Sequence, residues 1–362
     1  MVTVRIMTYN LMLSTSTPIR FNGQEHRLNK LPSAISHLDK QLGGIDVLVV
    51  QELIPKVFVK RFIANMRQLG WLCSTRPLSR TNSLKLADGG VLILSKHPII
   101  VEDRVIFDKQ CTDTDCLAEK GVVYCCIEKN GHPFHVFGTH FQAWENSRTV
   151  RVAQSRIFRT FINRLNIPRA DPVLICGDLN IDRYTQPTHL QEVGDILSAH
   201  LCHLHPDSPQ FSVDPENNAL VGNDDSSKYT TLAYPNGCFA EYMSTQRCVC
   251  CRPELLDYLG YSTEHLVPTF YDCRVVILKT EEFRSNRTIF LKRASSDLSD
   301  HFPVVGTFTF PARGTPVLYQ TFVSVPVARR YVLVKVFILF LLCVTISVIL
   351  WYKYPLIKQK IL

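Results

Sequence analysis

The chain has 362 residues, which is enough for one large domain or two ordinary ones. Hydrophobic residues make up 46% and charged residues 20%, a balance that is ordinary for a globular protein and excludes a low-complexity chain. The net charge of +8 is spread along the chain without a block of like charges, so it is compatible with an anionic membrane surface or nucleic acid and specifies neither.

The first half of the chain alternates predicted strands with predicted helices. It begins directly in an alternating strand pattern at residues 2–9 and lacks the basic and apolar regions of a secretory signal. Residues 56–69 and 148–165 carry apolar side chains at helical steps of three and four. Asn130-Gly131 predicts a two-residue hairpin turn. Further strand patterns lie at residues 45–50, 90–95, 121–128, 134–139 and 172–176. This order predicts a mixed α/β domain in which helices cover paired strands.

A polar stretch and a cysteine cluster follow this alternating region. Residues 203–243 are rich in Pro, Asn, Asp, Ser and Gly, which predicts a long surface loop. The CVCC cluster at residues 248–251, with Cys238, His203 and His205 upstream, is a candidate zinc site, but it lacks paired C-x-x-C spacing. Because no secretory signal precedes the domain, we expect the thirteen cysteines to be reduced thiols.

The C-terminal segment differs in composition from the rest of the chain. Residues 331–352 are apolar except for Lys335, and a helix needs about 20 residues to cross a bilayer. We expect a domain at 1–310, a linker at 311–330, a single transmembrane helix at 331–352 and a short tail at 353–362; a buried hydrophobic helix is the alternative. A tail anchor of this kind predicts a cytosolic domain, although basic residues flank both ends of the span and do not fix its orientation.

Polar side chains stand where six predicted strands or turns end. Singly, each has an ordinary explanation, such as a capped turn or a hydrogen-bonded core histidine. Together they supply carboxylate, amide and imidazole groups suited to metal binding and proton transfer. The six groups are Tyr9-Asn10, Gln51-Glu52, Gly138-Thr139-His140, Asp178 with Asn180, Asp257, and Asp300-His301.

The motifs TYN, QE, GTH, GDLN, LDY and SDHFPV, in this order, resemble the endonuclease/exonuclease/phosphatase superfamily over roughly residues 3–310. The resemblance implies a DNase I-like fold, a four-layer αββα sandwich of two mixed sheets with the active site where strand ends of both sheets meet. It also implies Mg²⁺-dependent hydrolysis of phosphodiester or phosphomonoester bonds.

Three longer segments, at residues 88–99, 119–145 and 211–220, are similar to bacterial sphingomyelinases C. This resemblance implies a Mg²⁺-dependent neutral sphingomyelinase that hydrolyses sphingomyelin in a bilayer to ceramide and phosphocholine, and no nucleic-acid partner is expected. The membrane-inserting hairpin of those enzymes is short here, with Phe283 as its one plausible tip. Cys111 and Cys116 fall near a cysteine-containing stretch of those enzymes, and we expect both to be free thiols.

The resemblance also assigns roles to the six groups. Glu52 and Asn10 would hold Mg²⁺, with Mn²⁺ able to substitute, because this ion prefers oxygen ligands. Asp300 would orient a histidine or contact a second cation, and a turn cap explains it equally well.

The remaining groups would carry out the hydrolysis. His301 is the candidate general base, oriented by Asp257, because histidine titrates near pH 6.5. Asp178 and Asn180 would hold the phosphate and the attacking water, and His140 would stabilise or protonate the leaving oxygen.

The choline cation of such a substrate could bind an aromatic face. Trp144 and Tyr184, each just past a predicted catalytic motif, are the candidates, and core packing explains either residue as well.

Two other functions are compatible with the pattern. One is a different phosphoesterase of the same fold, either a nuclease or an inositol polyphosphate 5-phosphatase. The other is an inactive membrane-anchored scaffold, which the unsubstituted catalytic positions argue against.

Overall fold

A computed structural model describes residues 1–14, 23–79, 87–221, 252–286 and 292–312. Most of the predicted linker, the predicted span at 331–352, the tail at 353–362 and the CVCC cluster lie outside these residues. Within the described ranges, no helix is long and apolar enough to cross a bilayer. The C-terminal transmembrane helix therefore stays a prediction.

Six strands form the first sheet, in the order β11-β14-β1-β2-β4-β3. Strands β1 and β2 are parallel, and the other described neighbours in this sheet are antiparallel. The parallel pair places the carboxyl ends of β1 and β2 at one edge of the sheet. The bounds are β1 Val2–Leu13, β2 Val47–Leu53, β3 Cys73–Ser74, β4 Leu92–Ser95, β11 Phe270–Val275 and β14 Val304–Phe310.

The second sheet also has six strands, in the order β5-β6-β7-β8-β10-β9. Its central pair, β7 and β8, is parallel, and the remaining neighbours are antiparallel. Both sheets are therefore mixed, as predicted. The bounds are β5 Ile99–Ile106, β6 Gly121–Lys129, β7 His132–His140, β8 Val173–Asp178, β9 Ala199–Leu201 and β10 Asp257–Ser262.

Alternation of apolar side chains along the strands creates two cores. Ile6 of β1 packs in a core shared with residues of the second sheet, whereas its neighbour Met7 packs with helices α1 and α2 on the opposite face. Phe158 of α3 packs in the first of these cores, which extends to the outer face of the second sheet. The helices are α1 Gln24–Gln41, α2 Lys56–Gln68, α3 Arg148–Arg164 and α4 Pro187–Leu197. The result is the predicted order of helix, sheet, sheet and helix layers.

Strands β12 Lys279–Asn286 and β13 Lys292–Asp297 form a separate two-stranded ribbon. Phe283 of β12 is 7% exposed, and its ring stacks on His26 of α1 with 4.3 Å between ring centroids. The prediction of Phe283 as an exposed membrane-inserting tip is therefore wrong, because its ring is buried against α1.

A disulfide joins Cys111, just before a short 3-10 helix at Asp113–Leu117, to Cys116 within that helix. The Cα atoms are 5.1 Å apart, within the range that a disulfide spans. The prediction of two free thiols at these positions is wrong, because the helical turn brings residues five apart face to face. The cysteines found free in the described ranges are Cys73, Cys125, Cys126, Cys176, Cys202 and Cys273.

Candidate active site

The topology brings the six predicted polar groups to one edge of the two sheets. Asn10 and Glu52 stand at the carboxyl ends of the parallel strands β1 and β2. His140 and Asp178 are register partners at the carboxyl ends of the parallel strands β7 and β8. Asp257 opens β10 directly opposite Asp178. His301 precedes β14, whose first residue, Val304, pairs with Thr8, two residues before Asn10 in β1.

Asn10 connects carboxylates from both sheets. Its Nδ2 donates to Glu52 Oε1 at 3.0 Å and to Asp178 Oδ2 at 3.1 Å. Its Oδ1 accepts a hydrogen bond from the backbone N–H of Met12 at 3.1 Å. The amide therefore presents donors rather than its oxygen to the two carboxylates, and the role of Asn10 as a metal ligand stays a prediction.

His301 and Asp257 form a buried pair. Nδ1 of His301 lies 2.6 Å from Asp257 Oδ2, while Nε2 lies 4.0 Å from Asp178 Oδ2. Burial lowers the pKa of His301, but the charge and hydrogen bond of Asp257, together with Asp300 and Asp178, raise this pKa well above its usual value. With the Nδ1 proton held by Asp257, Nε2 is the nitrogen that faces the site.

Asp178 lies at the centre of the group. Burial, followed by the negative charge of Asp257, raises the pKa of Asp178 to about 7. His301, the hydrogen bond from Asn10 and the charge of Lys120 act in the opposite direction. A buried carboxyl with this pKa and several polar neighbours is typical of a functional site.

His140 has a charged neighbour that the sequence did not single out. Lys120 Nζ lies 3.2 Å from His140 Nε2 and donates to the carbonyl of Phe141 at 2.6 Å. It also forms an ion pair with Asp115 Oδ2 at 2.7 Å. Burial and the Lys120 charge lower the pKa of His140 well below its usual value, so this imidazole is neutral. Lys120 lies in the EKGVVY segment, just before β6. This segment was the sequence signal from which Lys120 could have been identified.

Glu52 and Asn180 of the site, and Trp144 at its margin, have left-handed backbone conformations. Glu52 has φ 57° and Asn180 has φ 52°, a region that non-glycine residues seldom occupy and that recurs at functional sites. A Cβ on Gly90 would come within 3.1 Å of Glu52 Cα, so the DGGV segment needs glycine at this close approach. Asn180 Nδ2 donates to Phe141 O at 3.1 Å, and its backbone N–H donates to Asp178 Oδ1 at 2.8 Å.

Three predicted site residues lie at the margin of this group. Trp144 is 39% exposed in the loop after His140, and Tyr184 is 49% exposed in the loop after Asn180, where its ring packs edge-on against Phe211. Asp300 accepts a hydrogen bond from the Ser299 hydroxyl at 3.1 Å. The proposed roles of all three residues stay predictions.

The residues fit a divalent cation. Ligand atoms of Asp178, Asp257 and His301 lie within 4.8 Å of one another, and Glu52 reaches the same group through Asn10. The buried Oδ1 of Asp257 has no hydrogen-bond partner among the described residues. Clustered carboxylate oxygens with an unpaired buried acceptor suit a hard cation such as Mg²⁺. None of the three clustered residues was among the predicted metal ligands Glu52, Asn10 and Asp300.

Residues 7–236 match the Endonuclease/Exonuclease/phosphatase family, and the chain belongs to this family. The match includes Asn10, Glu52, His140 and Asp178 of the site.

Two curated relatives cover most of the chain. Sphingomyelinase C of Listeria ivanovii is 26% identical over 327 residues, which cover 83% of this chain and 85% of that protein. Sphingomyelinase C of Bacillus cereus is 28% identical over 328 residues, which cover 85% and 89% respectively.

A solved structure shares the fold. A double mutant of beta toxin from Staphylococcus aureus with bound magnesium ions has a TM-score of 0.69 and 23% sequence identity. The alignment covers 85% of this chain and all of that one.

Proposed function

We propose that this protein hydrolyses the phosphodiester bond of sphingomyelin, producing ceramide and phosphocholine. One observation carries the proposal: the His301–Asp257 pair faces Glu52 and Asn10 across Asp178, in a chain similar over most of its length to sphingomyelinases C. This arrangement supplies a base, an oriented carboxylate and a cation site around one point.

The chemistry requires stabilisation of negative charge and a proton acceptor. A divalent cation, Mg²⁺ in our proposal with Mn²⁺ able to substitute, would polarise the phosphoryl oxygen and stabilise the leaving oxygen when bound. Glu52 and Asp178 are the carboxylates that would hold it, with Asn10 fixing the distance between them. The beta toxin neighbour, which was solved with magnesium, supports the choice of ion.

His301 would take the proton from the attacking water, because the positive charge of a bound cation would lower the pKa that its acidic neighbours raise. Its Nε2 faces Asp178, while Nδ1 is committed to Asp257 at 2.6 Å. Asp257 fixes the orientation of the ring and stabilises the imidazolium that forms. Asn180, whose amide is anchored to Phe141 O, is placed to orient the phosphate or the water.

His140 and Lys120 form the cationic side of the site. The Lys120 ammonium lies between His140 and Asp115, so its charge is fixed rather than free to move. A fixed positive charge beside a neutral imidazole stabilises the negative oxygen that develops as ceramide leaves. Trp144 and Tyr184, exposed at the same edge, would contact the choline head group.

The test is a substrate panel with the full-length chain in detergent. Wild-type protein with Mg²⁺ should release phosphocholine from sphingomyelin, and His301→Ala should not. Cleavage of plasmid DNA or of inositol polyphosphates without phosphocholine release would favour another phosphoesterase of this fold. Absence of hydrolysis of every phosphoester would favour an inactive scaffold.

We also propose that residues 331–352 anchor the enzyme to a membrane, with the catalytic unit on the cytosolic side. Tethering raises the effective concentration of the site at the bilayer surface. Protease added to intact cellular membranes tests on which side the catalytic unit lies, because only a unit on the exposed, cytosolic side would be digested.

A further inference from the structure

We propose that Arg27, a buried residue outside the predicted site, is a positioning residue that sets the geometry of the cation-binding half of the active site. The inference rests on the proposed function, since it concerns the binding of Mg²⁺ by Glu52 and its neighbours. Arg27 belongs to α1, and its side chain is fully buried.

The Arg27 guanidinium joins two segments of the chain. It donates to the carbonyl oxygens of Leu11 at 2.8 Å, Met12 at 2.7 Å and Leu298 at 2.9 Å. Leu11 and Met12 follow Asn10 in β1, and Leu298 precedes Asp300 and His301. One side chain therefore fixes the distance between the strand that carries Asn10 and the loop that carries the base.

The first segment is a strained bend. The pairing of β1 with β2 shifts register between Asn10 and Leu13, and Met12 has φ 48°. Such a bend persists only where its surroundings hold it. Arg27 binds the carbonyls of this bend, and the Met12 N–H in turn binds Asn10 Oδ1 at 3.1 Å. That bond directs Asn10 Nδ2 toward Glu52 and Asp178.

The second segment is fixed to the same strand. Ser299, which follows Leu298, donates from its hydroxyl to Asn10 O at 2.6 Å. Arg27 also places a positive charge near the acidic side chains of Asp300 and Glu52. A lysine would keep the charge, but its ammonium lacks the planar fork that reaches three carbonyls at once. Arg27→Lys therefore separates positioning from charge.

Arg5 provides a matched control on the same strand. Its guanidinium also donates to backbone carbonyls, those of Leu42 and Gly44, but at the opposite end of β1 from Asn10. Arg5→Lys removes a similar set of hydrogen bonds without touching the site. Both substitutions should lower the melting temperature, and only Arg27→Lys should alter the response to Mg²⁺.

The experiment is a thermal-shift titration of full-length protein with Mg²⁺ in the absence of lipid, followed by steady-state kinetics. A ligand that binds only the folded state raises the melting temperature according to its dissociation constant. We expect Arg27→Lys to need about 10- to 100-fold more Mg²⁺ than the wild type for the same rise in melting temperature, the range for residues that orient metal ligands. Its kcat at saturating Mg²⁺ should also fall, whereas Arg5→Lys should match the wild type in both.

Arg27→Lys with the wild-type Mg²⁺ response would overturn this inference and leave the proposed function intact. A wild-type protein without any Mg²⁺-induced shift would overturn the magnesium site itself, and the inference with it. If Arg27→Lys does not fold, the same titration compares Met12→Gly with Arg27→Lys/Met12→Gly, because glycine adopts the bend without strain. Equal Mg²⁺ affinity in these two variants would contradict the role of Arg27.

Discussion

Asn10 and Asp178 belong to different sheets, yet Asn10 Nδ2 lies 3.1 Å from Asp178 Oδ2. This contact closes the sandwich at its catalytic edge. Glu52, the carboxylate of the first sheet, contacts the same Asn10 amide that contacts Asp178, the carboxylate of the second sheet. The active site is thus a property of the packing of the two sheets rather than of either sheet alone.

Asp178→Asn should stabilise the metal-free protein while abolishing activity. Folding raises the pKa of this carboxyl from 3.8 to about 7, so the folded state binds the proton more tightly than the unfolded chain does. The wild type therefore loses stability as the pH rises through this window, and the asparagine variant does not. In EDTA, the melting temperature of Asp178→Asn minus that of the wild type should grow from about pH 4 to pH 7. A difference that stays constant or shrinks would contradict the environment assigned to Asp178.

Asp257→Asn should reduce kcat by about 10²- to 10⁴-fold, the range for general acid–base groups. An asparagine amide is uncharged and accepts a weaker hydrogen bond from Nδ1–H than the carboxylate does. The imidazole ring is therefore held less firmly, and the imidazolium loses its counter-charge. His301→Ala should cost at least as much, and the double variant should be no worse than His301→Ala, because the two residues act as a unit. Fully additive losses in steady-state kinetics would exclude a shared role.

Lys120→Met should reduce kcat and should also lower the melting temperature at neutral pH. The substitution removes the fixed charge beside His140 and leaves Asp115 without its ion pair. Lys129→Met is the control, since Lys129 pairs with Asp46 and with the carbonyl of Thr3, on the far side of the domain. Lys129→Met should lower the melting temperature but leave kcat at the wild-type value. Equal activity of both variants would show that Lys120 is only structural.

Asp46→Asn should destabilise the protein by about 1–3 kcal/mol at pH 7 without loss of kcat. Burial would raise the pKa of Asp46, but hydrogen bonds from Lys129, His97 and the backbone of Arg5 lower it below 3.8. The stability that these bonds contribute is present above pH 3.8 and is lost as the pH falls through the lower folded-state pKa. Urea denaturation at pH 7 and below pH 3 should show that the difference in free energy of unfolding between wild type and Asp46→Asn is smaller at the lower pH.

The strands of the sandwich and most of the site could be predicted from sequence. Buried strands are continuous apolar runs, and the polar residue that ends each run is visible, as with Asp178 after the run ending at Cys176. Parallel neighbours place such ends together, so the juxtaposition of Asn10 with Glu52, and of His140 with Asp178, follows from topology.

Several features could not be predicted because their signals are ambiguous in one sequence. Helix α1 contains Pro32, which normally argues against a helix interior. Arg27 and Lys120 look like solvated surface charges until packing buries them. The disulfide between Cys111 and Cys116 depends on the turn between them, and Phe283 reads as an exposed tip unless α1 is known to cover it.

The most direct test of the account is hydrolysis of sphingomyelin vesicles in ¹⁸O-labelled water, with phosphocholine and ceramide analysed by mass spectrometry. If water activated by His301 attacks phosphorus beside the cation held near Glu52, wild-type protein with Mg²⁺ should place one ¹⁸O in phosphocholine and none in ceramide. His301→Ala and Glu52→Gln should form no labelled phosphocholine. Label in ceramide, or unchanged phosphocholine release by either variant, would contradict the central claim.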